Sequence, residues 1–267
     1  MSAESGFPSV LVMPQAPAAR ELAAAGAEVV RGDFADPDSL MRAVDGVYGV
    51  FSVQSFHEEG TEVERRNGRA MAAAAARAGV EHFVYSSVGG ADCGVGIGFH
   101  DSKFDIERHI VDLGLRYTIF RPVFSMRNWG QVRADVRAGV LPWPLAPDTV
   151  LQQLAFEDLA VFVGKAFREP RHWIGRITEL AGDESTMAEV ADVFGKVLGR
   201  PVRYQRIPLD RFSENVRAAT GSPLDADHLR MLRWFDEDGF HADLPALRAE
   251  YPGLTSFEQF LRRSGWF

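Results

Sequence analysis

Lys103 and His100 stand three residues apart in "GFHDSKFDIERHIVDLGL", residues 98–115. On a helix that spacing puts two side chains on one face. An imidazole there titrates near neutral pH and serves as a general acid, and with Lys103 beside it the pair can move a proton. Each residue also has a plainer reading. His100 is then a solvent-facing residue at a helix start, and Lys103 makes a surface ion pair with Glu107 four residues on. Ser86 and Ser87 close the apolar run "EHFVYSS", and Phe51, Ser52, Val53 and Gln54 lie at the end of "VYGVFSV". Hydroxyls at such strand exits either meet a ligand or satisfy turn amides. Tyr85, pointing opposite to Ser86 along a strand, reads as core. Arg121, at the exit of "RYTIFRPVF", reads as one half of a buried ion pair. Metal chemistry is not expected: the seven histidines form no HxxxH pair, Cys93 is the single cysteine, and no G-x-S-x-G elbow occurs.

The elements that must position these residues follow from periodicity and turn residues. Ser9–Met13 and 27–31 read as strands flanking a helix over 18–25. A helix is expected from Asp36-Pro37, with Asp36 capping and Pro37 at the first position. "VYGVFSV" (47–53) is nearly continuously apolar, the pattern of a strand buried on both faces. An Ala-rich helix runs to Gly79, then come the strand 81–87, a Gly-rich loop, the helix carrying Lys103, and the strand 116–124. The Pro-rich "LPWPLAP" (141–147) reads as a loop or lobe boundary. Beyond it lie a helix at 156–168, a strand near "GRITELAG", a helix at about 186–198, the strand "VRYQRIP" and two further helical stretches. Alternating strands and helices imply parallel βαβ units and a doubly wound sheet. The expected division is a sheet domain over 1–150 and remaining sheet elements with a small C-terminal α/β lobe over 151–267.

A length of 267 residues, 46% hydrophobic and 25% charged, suits a globular α/β protein. A net charge of −8 disfavours a nucleic-acid backbone binder. One cysteine permits no intrachain disulfide, and neither a leader pattern nor a long apolar run is visible, so a cytoplasmic chain with no membrane contact is expected. Three lysines against 26 arginines, with abundant Ala, point to a GC-rich bacterial source.

"HFVYSSVGGADCGVGIGFHDSKFDIERHI" with "YTIFRPVFSMRNW" resembles the NmrA-like family of atypical short-chain dehydrogenases/reductases. The resemblance extends through "GAEVVRGDFADPDSL", "GVFSVQ" and "FDEDGFHADLPALRAEYPGLTSFEQFLRRSGW", almost the whole length. It implies a Rossmann-like domain binding NAD(P) and a smaller lobe over a cleft. It places Asp33, Phe51, Ser52, Val53, Ser87, Lys103, Pro122 and Val123 along the cofactor, and Ser86, His100 and Lys103 at the chemistry. Phe124, Asn128 and Trp129 would line the substrate side. In reductases of this superfamily a Tyr stands four residues before the Lys; here that position is Phe99, with His100 one residue later.

The pattern departs at the front. The family's order is a strand, a GxxGxxG loop and a helix before the strand that carries an Arg for the NADP 2′-phosphate. "AESGF" (3–7) reads as the tail of that first helix, and the Arg position falls on Met13. The expectation is a shortened Rossmann-like sheet in which Ser9–Met13 takes the central position. Pro14 and Pro17 offer no N–H groups to a pyrophosphate. Two or three missing hydrogen bonds at roughly 1.5–3 kcal/mol each weaken the cofactor by at least about a hundred-fold. Three functions stay open: an NAD(P)H-dependent reductase of a small aromatic or quinone-like molecule; a cofactor-independent isomerase, cyclase or dehydratase in the same cleft; and a non-catalytic nucleotide-sensing regulator. The expected partner is a small molecule, with a homo-oligomer left open.

Overall fold

The computed structural model describes residues 10–12, 17–57 and 59–266. The expectation that Arg is replaced at Met13, and the reading of 3–7 as a helix tail, fall outside them. In chain order the first strands and helices are β1 (Val10–Val12), α1 (Pro17–Ala24), β2 (Glu28–Val30), α2 (Pro37–Val44), β3 (Gly49–Ser52), α3 (Thr61–Ala78), β4 (His82–Ser86), α4 (Gly98–Asp112) and β5 (Tyr117–Pro122). The later strands are β6 (Phe124–Ser125), β7 (Val140–Trp143), β8 (Val150–Leu154), β9 (Arg176–Leu180), β10 (Asp183–Thr186) and β11 (Arg203–Arg206). The mixture of parallel sheet and helices is the α/β class expected.

The chain forms two compact units. The first holds the described residues within 1–87, together with Ser102–Phe120 and Ala160–Ile177. The second holds Val88–Asp101, Arg121–Leu159 and the described residues from Thr178 onward. Each is assembled from separated stretches of chain.

In the first unit β3, β4 and β5 pair in parallel, with Ser52 opposite Tyr85 and Tyr85 opposite Ile119; the sheet order is β3-β4-β5-β9. All five β4 residues are buried. β1 pairs in parallel with β2, Val10 opposite Glu28, as a separate two-stranded sheet. β1 (Val10–Val12) therefore does not take the central position: among the described residues β1 has β2 as its one strand neighbour, and β3 pairs with β4 alone. The local β1-α1-β2 crossover accounts for the β1–β2 pairing. β3 is less buried than its apolar sequence suggests, with Phe51 39% exposed and, just past the strand, Val53 56%. The prediction of a strand covered on both faces is corrected here: Gly49 and Val50 are half-buried, Phe51 exposed and Ser52 buried.

Two helices cover the core of this unit. α2 begins as expected, with Asp36 accepting from the N–H groups of Asp38 and Ser39 and Pro37 in the first turn. α3 is rich in Ala, the strongest helix former, and ends at Gly79 in the left-handed conformation (φ 68°). Its buried stripe, Glu64, Gly68, Met71, Ala72 and Ala75, recurs at helical spacing. With Leu40, Val44, Phe83, Tyr85, Ile106, Ile110 and Ile119 these apolar residues form one cluster. Gly68 permits the close approach of α4: a Cβ there would lie 2.5 Å from Ile106 Cδ1. On the far side Phe120 meets Trp173 and Phe162 at ring distances of 5.3 and 6.1 Å.

The second unit contains the sheets β10-β8-β6 and β11-β7. The Pro-rich segment 141–147 begins as strand and only then becomes the expected loop: β7 pairs in parallel with β11, Pro142 opposite Gln205, and ends at Trp143. Four helices, not two, follow β11 among the described residues: Leu209–Thr220, Ala226–Glu237, Leu244–Glu250 and Phe257–Arg263. The core is aromatic, with Trp129 4.7 Å from Trp143, Trp143 4.8 Å from Phe212 and Phe194 5.1 Å from Phe257. No helix among the described residues is long and apolar enough to cross a membrane.

Candidate functional site

The first unit gathers a polar group set at the carboxyl ends of β3 and β4. Ser52 and Ser86 close the two strands, Ser87 follows, and all three are buried. Gln54, two residues past β3, donates from Nε2 to Ser52 Oγ (2.8 Å). Lys103 enters from α4, 8% exposed. Its Nζ donates to Gln54 O (3.1 Å) and pairs with Glu64 Oε1 (2.9 Å). Glu64 is completely buried, and its Oε2 accepts from Ser102 Oγ (2.5 Å). The Lys103 ammonium also lies 5.9 Å from the Tyr85 ring centre.

Burial of an ammonium is tolerated only where acceptors replace water. Here the Gln54 carbonyl accepts one N–H, and the Glu64 carboxylate supplies the opposite charge as an ion pair. Ser87 Oγ, Gln54 Oε1 and Tyr85 OH are buried polar atoms with no hydrogen-bond partner among the described residues. Natural folds rarely leave such groups unsatisfied, and a ligand bearing hydroxyl and amide groups would satisfy those at the strand ends. The Tyr85 hydroxyl is pushed well above its usual pKa, by burial first and then by the Glu64 and Glu107 carboxylates, so it stays neutral.

Phe51, Ser52, Val53, Ser86, Ser87 and Lys103 thus belong to one unit, the first three on or just past β3. Lys103 is not a surface residue paired with Glu107: its partner is Glu64, on a different helix. Glu64 was not among the expected site residues. Its signal was a carboxylate on the otherwise small and apolar stripe of α3. Asp33 is exposed in the turn after β2, where its carboxylate accepts from the Ala35 N–H (2.8 Å).

The second unit holds the other expected residues. His100 is buried in the first turn of α4; its Nδ1 lies 3.1 Å from Gly90 O and its ring 5.4 Å from the Trp234 ring. Because a carbonyl only accepts, Nδ1 carries the proton, and in the neutral ring Nε2 is the basic nitrogen. Arg121 is buried and pairs with Asp92 at 2.7 Å, but Asp92 is half exposed, so the pair is not the buried one expected of it. Pro122, Val123 and Phe124 are buried, Asn128 is exposed, and Trp129 is buried with its Nε1 donating to Gln153 Oε1 (2.7 Å). No cluster of His, Cys, Asp or Glu among the described residues could hold a metal ion.

The sequence matches the NmrA-like family over residues 2–261. An NAD(P)H azoreductase of Xenophilus azovorans is 31% identical, over 78% of this chain and 71% of its own. Two solved structures share the fold at lower identity. One is the triphenylmethane reductase of Citrobacter sp. complexed with NADP(H): TM-score 0.83, 19% identity, 98% of this chain and 93% of that one. The other is the NADPH-dependent quinone oxidoreductase QOR2 of Escherichia coli, complexed with NADPH: TM-score 0.82, 24% identity, 99% and 92%.

Proposed function

From the premise that this chain belongs to the NmrA-like family, we propose that it is a reductase which uses NAD(P)H to reduce a small, flat, quinone-like or aromatic molecule. The observation that carries this reading is the buried Lys103 ammonium, held at the strand ends by the Gln54 carbonyl and the Glu64 carboxylate. The names of the azoreductase relative and of the two structural neighbours support the cofactor and the substrate class.

The residues at the strand ends fit the sugar and nicotinamide part of such a cofactor. Ser87 Oγ and Gln54 Oε1 are buried without hydrogen-bond partners among the described residues, and ribose hydroxyls and a carboxamide supply complementary donors and acceptors. When bound, the cofactor supplies the hydride. Lys103 then orients a ribose hydroxyl and offers positive charge to the oxygen that becomes anionic on the acceptor. Ser52 and Ser86 are proposed to line the same strand ends. Phe51 and Val53, exposed at β3, offer an apolar surface to a flat ring.

The test is calorimetric titration of NADPH and NADH, followed by turnover with a quinone and an azo dye. Micromolar binding and acceptor-dependent oxidation of the cofactor are expected. No binding up to millimolar concentration overturns the reading. Lys103→Met should lower kcat/KM by about 100- to 1,000-fold, the loss typical of removing one group that stabilises a developing oxyanion.

A further inference from the structure

We propose that Glu64 is a positioning residue for Lys103, acting through a fixed Ser102–Glu64–Lys103 chain that sets where the ammonium sits. The inference rests on the reading of Lys103 just given. Glu64 stands in a helix of mostly small residues at a fully buried position, where alanine would be expected on packing grounds alone. A buried ion pair is seldom retained for stability, since two apolar residues often serve as well. Both carboxylate oxygens are in use here, Oε1 on Lys103 and Oε2 on Ser102. Ser102 and Lys103 are adjacent on α4, so one carboxylate grips two successive residues and sets the rotation of the lysine stem. With Gln54 O accepting an N–H, the hydrogen bond and the ion pair together hold Nζ in place. The other titratable groups around the ammonium are Tyr85 on β4, buried under it, and Glu107 on α4, also buried.

Three variants and two measurements test this. Glu64→Gln keeps the shape but removes the charge; Glu64→Asp keeps the charge one methylene shorter; Ser102→Ala frees Oε2. Turnover is measured per folded molecule, with kcat and the KM for the acceptor determined separately. In parallel the side-chain ammonium 15N–1H signals are recorded; the chain has three lysines, and Lys103→Arg assigns the one of interest. Lys103 is expected to give a slowly exchanging ammonium signal in the wild type. Glu64→Gln should erase that signal and lower kcat by about 10- to 100-fold, as for a reacting group displaced by an ångström, with KM within about twofold. Glu64→Asp should restore most of both. Should Glu64→Gln not fold, Ser102→Ala decides, with an expected fall in kcat of about 3- to 10-fold and faster ammonium exchange. A full kcat and an unchanged signal in the folded Glu64→Gln protein, or failing that in Ser102→Ala, overturn the proposal while leaving the reductase intact. A wild type with no NAD(P)H-dependent turnover, but with a signal that Glu64→Gln erases, overturns the reductase reading and leaves the positioning role standing.

Discussion

At the scale of single residues, the first unit buries ionisable groups and controls which of them carry charge. His82 shows how. It is fully buried, and its Nε2 lies 2.8 Å from Thr118 Oγ1, whose own proton goes to Trp173 O (2.9 Å). The hydroxyl must therefore accept from His82, which places a proton on Nε2. Desolvation, with the Arg116 charge second, pushes the imidazole down to about 4. An ordinary imidazole ionises near 6.5, so between the two values only the unfolded chain takes up the proton. Stability is complete above about pH 6.5 and declines as pH falls towards 4. Urea unfolding should show a loss of about 2 kcal/mol from this site between pH 7 and 5. The same comparison on His82→Gln should lack that component, and an identical pH response in the two proteins would refute the assignment. Lys103 was singled out in the sequence through the family resemblance, whereas Glu64 was not. A carboxylate in an Ala-rich helix reads as a solvated face unless its place on the buried stripe is worked out first.

At the scale of elements, the site depends on how closely α3 and α4 pack, because one carries Glu64 and the other Ser102 and Lys103. Gly68 sets that distance. Gly68→Val would drive a Cβ to 2.5 Å from Ile106 Cδ1, and overpacking of this kind costs about 1–3 kcal/mol. Chemical denaturation should report that loss. Turnover per folded molecule should fall as well, since the displaced helix carries Lys103 with it; full activity in a destabilised protein would show that the helices tolerate the shift. Caps and helical spacing made α2 and the helix Phe156–Arg168 readable from sequence, the latter to the residue. β7 was hidden inside a proline-rich segment because its pairing partner, β11, arrives some sixty residues later. β8 was missed for another reason. Gln152 and Gln153 look like surface residues, yet both are buried: Gln152 bonds to the backbone of Ala242, and Gln153 Oε1 accepts from Trp129. Those partners are distant in sequence, so no local pattern announces them.

For the whole molecule, the doubly wound class was evident from alternating strands and helices, but the position of β1 was not. Only the pairing in three dimensions decides between β2 and β3 as its neighbour. The two compact units are each stitched from separate stretches, and this makes a prediction about truncation. A chain ending at residue 159 loses Phe162 and Trp173, which cover Phe120, and the carbonyl that receives the Thr118 proton. Such a chain should lack a cooperative thermal transition by circular dichroism; a sharp transition would show that the first unit manages without its last segment. The same stitching has a consequence in time. A ribosome that has just added Ser87 has completed neither unit: the first still waits for Ser102–Phe120 and Ala160–Ile177, with a stretch of the second threaded between them. At about 5–20 residues per second that wait lasts on the order of 5–20 s. In its first part the newborn strands β3 and β4 lack β5, and to its end the sheet lacks β9, so the chain's exposure to chaperones is written into its order of synthesis.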